Sequence, residues 1–252
     1  MSKEALNRRL FGCCENLNVE GMKACLVEGA NPNEAMNEGW DCDVLHGCLQ
    51  TYTREEPERF HACINTLIDA GAKFEDGPLW DLFRGRSHAL EQRLEDDAAL
   101  VHERFQFDYG DHLTLRGATL LHIAAEYNLR WAVDLLLAQG ADLNTKAVVG
   151  KNGVGGQTPI FHVIGSNQGR CDGLFEYLLK QKPDLSVLAK VQENDADDGK
   201  VMDCVHKGQD HFFDRVREVT PLGYALWYEH EPKWRSAKRE VEKLKALGAP
   251  AE

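Results

Sequence analysis

Residues 117–144 read GATLLHIAAEYNLRWAVDLLLAQGADLN, two short helical patterns with a turn between them. The Thr119 hydroxyl is placed to cap the first helix, and Leu121, Ile123, Ala124 and Ala125 give it an apolar face. The alanines keep that face low, so neighbouring helices can approach closely. Asn128 and Leu129 fit the turn, residues 131–138 repeat apolar side chains at helical spacing, and Gly140 supplies the left-handed residue that ends the second helix.

The end of this stretch recurs. GADLN at 140–144 is echoed by GANPN at 29–33 and GAKFE at 71–75, and more weakly by KPDLS at 182 and GAP at 248. These spacings fit units of about 33 residues with insertions, two units falling in each longer gap. With the pattern T-P-L-H-x-A-A, helix, turn, helix, G-A-D-x-N in view, residues 117–144 resemble the ankyrin repeat over their whole length.

The resemblance extends along the chain with decreasing quality. DVLHGCLQ at 43–50 places His46 at the histidine that in this family ties backbone groups between neighbouring units, with Cys48 at an alanine position. QTPIFHVI at 157–164 keeps Thr158 and Pro159 but has Phe161 where the histidine is usual and His162 one place late. GPLWDLF from Gly77 is degenerate, and VTPLGYALWY from Val219 is recognisable. The fold this implies is all-α: an ankyrin-repeat solenoid of about six helix-turn-helix units with hairpin fingers, one domain over 1–252 with units near 1–34, 35–76, 77–111, 112–145, 146–187 and 188–252. Two connections are long. Residues 146–157 make an extended finger, and a long insert at 193–218 lies where SVLAKVQ and DRVREV alternate as paired strands would. The tail Phe105, Phe107, Tyr109 also alternates, as a chain leaving a helix for a finger would.

Composition excludes several classes. A hydrophobic fraction of 43% over 252 residues suffices for a core, while the longest apolar runs are far below the roughly 18 residues needed to cross a bilayer. The charged start MSKEALNRRL has no apolar segment behind it, so no secretion signal is expected and a cytoplasmic location is. The eight cysteines lack paired CxxC spacing and are expected as reduced thiols. A net charge of -12 argues against nucleic-acid binding, and a basic partner fits it better.

Motifs for chemistry are weak. VVGKNGVGGQTPIF at 148–161 has the glycines of a phosphate loop, but Gly156 and Gln157 stand where Lys and Ser or Thr are required, so the glycines serve a finger turn instead. NDADDG at 194–199 would put Ala196 and Val205 at calcium-ligand positions, which reads better as a solvated acidic turn. Cys204, His206 and His211 are acceptable zinc ligands in no familiar spacing, and Cys42, His46, Cys48, His61 and Cys63 are explained by repeat positions. No cofactor, no metal site and no catalytic residue are expected.

In ankyrin proteins partners usually bind the concave surface made by finger tips and the residues after the TPLHxAA helix. Carried onto this chain, the fingers give Met36, Trp40, His112, Arg116, Lys146 and Lys151, and the inner helices give Gln50, Glu126, Tyr127, Ser166, Asn167, Trp227 and Tyr228. The resemblance therefore implies a non-catalytic protein-protein interaction module, a monomer that binds a partner protein. The alternative reading is an acidic inhibitor or immunity protein that neutralises a basic toxin or nuclease.

Overall fold

The computed structural model describes all residues except 1, 35–42, 51–53, 108–114, 167–169, 193–215 and 230–236. The described chain is mostly helical with four short strands, and its packing divides it into two compact units, Met1–Leu90 and Glu91–Glu252. No helix among the described residues is long and apolar enough to cross a membrane.

In the first unit the helices start on local caps. Ser2 accepts from the Ala5 amide at the head of α1 (Lys3–Glu15), Asn18 from Gly21 at α2 (Val19–Val27), and Asp43 from His46 at α3 (Val44–Leu49). Next come α4 (Pro57–Asp69), with proline in its first turn, α5 (Pro78–Phe83), and α6 (Ser87–Asp96), in which the unit ends. Helix α1 packs on α2 and α3, and α2 packs on α4. The buried layer is built by Leu10, Cys14, Met22, Leu45, Cys48, Phe60, Ile64 and Leu67.

The second unit adds a 3-10 turn (Ala98–His102), then β1 (Phe105–Gln106) and β2 (Arg116–Ala118) as an antiparallel pair. The stretch first singled out forms α7 (Leu120–Glu126) and α8 (Arg130–Ala138), with Asn128 at φ 55 in the turn and Gly140 at φ 88 after the second helix. Then follow α9 (Pro159–Val163), α10 (Asp172–Lys180), β3 (Ala189–Gln192), β4 (Val216–Val219), α11 (Pro221–Glu229) and α12 (Lys238–Ala246). Helices α7 and α9 pack together, α9 packs on α11, and each has its following helix behind it, α8, α10 and α12. Leu121, Ile123, Val133, Leu136, Phe161, Phe175, Leu178, Tyr224 and Leu244 fill the space between them.

Strands β3 and β4 pair antiparallel from Ala189↔Val219 to Gln192↔Val216, so the alternation seen at both ends of the long insert is a real ladder. Most of that insert, 193–215, lies outside the described residues, and with it the calcium-like turn and Cys204, His206 and His211. Of the alternating tail, Phe105 opposes Ala118 in β1, with a register irregularity before Gln106, while Tyr109 lies outside the described residues.

Candidate functional site

Two side chains hold successive loops in register. Asn33, the last residue of GANPN, accepts from the Lys73 amide at 2.8 Å and donates to Gly71 O at 2.8 Å. Asn144, the last residue of GADLN, accepts from the Asp184 amide at 2.7 Å. In both cases an asparagine reaches the third residue of the next such loop, 40 positions on. A short amide side chain can satisfy that backbone donor, which explains why asparagine ends the motif.

His122 ties the helical layer in the same way. Its Nδ1 lies 3.2 Å from the Thr119 amide and 2.8 Å from Thr119 Oγ1, and its Nε2 lies 3.0 Å from Gln157 O. The Thr119 amide can only donate, so Nδ1 is unprotonated and Nε2–H donates to the Gln157 carbonyl. Every polar atom of this buried ring is matched in the neutral form. Burial, followed by the neighbouring His162, pushes the His122 pKa down to about 3. His46 keeps the local part of the arrangement, with Nδ1 2.9 Å from Asp43 Oδ1, and its half-exposed ring lies edge-on to Trp80. That bond raises its pKa, against the opposing effect of burial.

The displaced histidine of QTPIFHVI has a different role. Phe161 occupies the position from which a histidine would meet Thr158, and Thr158 Oγ1 has no hydrogen-bond partner among the described residues. His162, one residue later and so turned by about 100° around the helix, reaches Glu126 Oε2 at 3.0 Å with its Nδ1. It packs edge-on to His122, with ring centroids 5.7 Å apart. Helices α7 and α9 are thus joined by the Glu126–His162 pair at the end of α7, where contact positions were expected.

The fingers of the second unit form a hydrogen-bonded ribbon. Gly117 O accepts from the Val148 amide at 3.2 Å, and Arg104 Nη1 donates to Gly117 O and Lys146 O. Within 146–157 the chain doubles back through Ala147–Gln157, Gly156–Ala147 and Gly150–Val154 bonds. Gly155 then exchanges both backbone bonds with Lys190 on β3, at 2.8 and 2.9 Å. At φ 138, a Cβ on Gly155 would lie 2.2 Å from Val148 O, so glycine is required for the close approach of the two arms. The phosphate-loop glycines are finger glycines.

An ankyrin-repeat family model matches residues 116–145. The chain carries an ankyrin repeat. No curated protein matches the chain. Among solved structures, the human ASB11 ankyrin repeat domain is similar at 17% identity and a TM-score of 0.34, covering 96% of this chain and 69% of that one.

The contact positions expected from the ankyrin resemblance have varied surroundings. Arg116, Lys146 and Lys151 are exposed on the finger ribbon. Glu126 and Ser166 are half-buried, and Gln50 caps α3 at its C-terminal end. Tyr127 is different: it is 1% exposed, with the Phe107 ring 6.5 Å away, so its ring is core and offers no surface to a partner. Trp227 is half-buried, edge-on to Tyr224 at 6.4 Å, and Tyr228 follows it in α11. Met36, Trp40, His112 and Asn167 lie outside the described residues.

The sequence reading missed the apolar character of the ribbon. Val148, Val149, Leu188 and Val216 are 50%, 46%, 43% and 39% exposed. Val148 and Val149 lie in a finger read for its glycines, Leu188 and Val216 in the paired runs SVLAKVQ and DRVREV, and nothing local marked which side would face solvent. Among the described residues no group of three or more His, Cys, Asp or Glu is placed to hold a metal ion, and Cys13, Cys14, Cys25, Cys48, Cys63 and Cys171 are free thiols.

Proposed function

We propose that this chain is a non-catalytic interaction module that binds a partner protein through finger and inner-helix side chains of its second unit. Ankyrin repeats generally serve protein-protein interaction, and the matched repeat lies in this unit. The observation that carries the reading is the ribbon from β2 through 146–157 to β3, which presents exposed side chains from three successive loops in fixed register. A preformed edge of this kind lowers the ordering cost of binding. Arg116, Lys146 and Lys151 on the ribbon, with Glu126, Ser166 and Trp227 on the helices, are the proposed contacts. The inhibitor alternative draws its support from the net charge of -12.

Affinity purification of the full chain from its native cell, identification of the bound protein and reconstitution from purified components test this. Trp227→Ala and Glu126→Ala should each weaken binding by about 1 to 4 kcal/mol, whereas Lys245→Ala on α12 should change it by a few tenths. Unchanged affinity in the first two variants, together with loss on deleting 193–214, would place the binding element in the insert and refute the proposal.

A further inference from the structure

The helices of the first unit bring cysteines together from distant parts of the chain: Cys13 and Cys14 on α1, Cys25 on α2, Cys48 on α3 and Cys63 on α4. They form two hydrogen-bonded groups. Cys48 meets Cys14 and Cys63 side chain to side chain, and all three are fully enclosed. Cys13 meets Cys25 in the same way, and among the described cysteines it alone is not buried. The seam between α1 and α2 leaves room for it. A Cβ at Gly21 would lie 2.7 Å from Cys13 Sγ, so glycine lets the sulfur lie against α2. Cys25 follows Gly21 by four residues and shares its face of the helix. Arg9, one turn before Cys13 and held by Glu28 at 3.1 Å, has its charge near both thiols. Partial exposure beside a cation is the setting in which cysteines react, whereas enclosed ones are inert.

We propose that Cys13 and Cys25 are a redox-active pair, oxidised by a peroxide to a disulfide that staples α1 to α2. The inference goes beyond the partner-binding reading and does not depend on it. The Cys13 thiolate attacks one peroxide oxygen: the S–O bond forms as the O–O bond breaks, and the departing hydroxide takes up a proton as water. The Cys25 sulfur then attacks the Cys13 sulfur. The S–S bond forms as the S–O bond breaks, and a second water leaves with the Cys25 proton. Two thiols have then lost two electrons and two protons, and one peroxide has become two waters. A dithiol reductant reverses the change by exchange. Burial, followed by the neighbouring Cys25, pushes the Cys13 thiol above its ordinary pKa, with Arg9 opposing. The thiolate is scarce near neutral pH, so the pair oxidises slowly and responds to sustained oxidation. Cys14, Cys48 and Cys63 touch one another but have no exposed surface through which a peroxide could reach them.

The test treats the full native chain with hydrogen peroxide, alkylates the remaining thiols and cleaves after glutamate, which leaves Cys25 in 21–28 and Cys13, with Cys14, in 5–15. Mass spectrometry should find these two peptides joined, two hydrogens lighter than their sum, with fragments placing the bond at Cys13, and dithiothreitol should release them. Cys13→Ser, a near-isosteric change at a half-buried position, should abolish the link. Raising the pH from 7 to 8 should speed linking about tenfold, because the thiolate is the nucleophile. Amide exchange in α1 and α2 should slow about tenfold or more in the linked protein, since the bond closes a short loop. Oxidation of Cys13 that stops short of Cys25, a link among Cys14, Cys48 and Cys63 instead, linking only after denaturation, a rate indifferent to pH, or unchanged exchange overturns the inference.

Discussion

His122 should make the stability of the second unit depend on pH, with a sign and size that follow from its contacts. The ring is fully buried and neutral, with Nδ1 accepting from Thr119 and Nε2–H donating to Gln157 O at 3.0 Å. Burial of the charge, followed by the neighbouring His162, lowers the folded-state pKa from the ordinary 6.5 to about 3, and protonating Nδ1 would also set a second N–H against the Thr119 amide. A depressed pKa means that the unfolded chain binds the proton first. The stabilisation is therefore complete above about pH 6.5 and is lost as pH falls from there toward about 3. Between about pH 7.5 and 5.5 the unfolded histidine goes from mostly neutral to mostly charged while the folded one stays neutral. The loss is then about 1.4 kcal/mol, one proton's linkage over one effective pH unit. Urea unfolding of the wild type and of His122→Gln at the two pH values measures it. The variant should be less stable at pH 7.5 by about 2 to 4 kcal/mol, through lost hydrogen bonds and packing. Its further loss on going to pH 5.5 should be smaller than that of the wild type by about 1.4 kcal/mol. Equal losses in both proteins would show that His122 titrates alike folded and unfolded, and would refute the assigned tautomer and burial.

Other substitutions test the packing and the loops. Leu136→Asp places a charge at a fully buried position of α8 and should cost several kcal/mol, so an unchanged melting temperature would contradict the core assignment. Gly155→Ala should destabilise by about 1 to 3 kcal/mol, because its Cβ would fall 2.2 Å from Val148 O at a φ of 138 that side chains rarely adopt. Faster amide exchange at Lys190 in that variant would confirm that the bond to β3 is lost, and unchanged exchange would show that the ribbon does not depend on it. Asn144→Ala removes the acceptor of the Asp184 amide and should cost about 1 kcal/mol in a denaturant melt, with Asn33→Ala as the parallel case in the first unit; no change in either would show that water replaces the side chain.

The amino-acid sequence by itself determined the helix-turn-helix at 117–144, since what makes it is local. The Thr119 start, the apolar spacing of 120–137, Asn128 in the left-handed turn and Gly140 at the helix end each act within a few residues. The pairing of β3 with β4 was legible for the same reason, because alternation shows in a short window even when the strands are far apart in the chain. What only the tertiary structure decided depends on residues that are distant in sequence. Tyr127 stands where a contact residue was expected, but Phe107, twenty positions earlier, lies against it and the ring is enclosed. The register shift of His162 was visible as a departure from the motif, but its partner Glu126, on the preceding helix pair, was not. A net charge is a sum over the chain and carries no position. Arg116, Lys146, Lys151 and Lys190 belong to three loops that are far apart in sequence, and only backbone bonds from Val148 to Gly117 and between Gly155 and Lys190 lay those loops side by side.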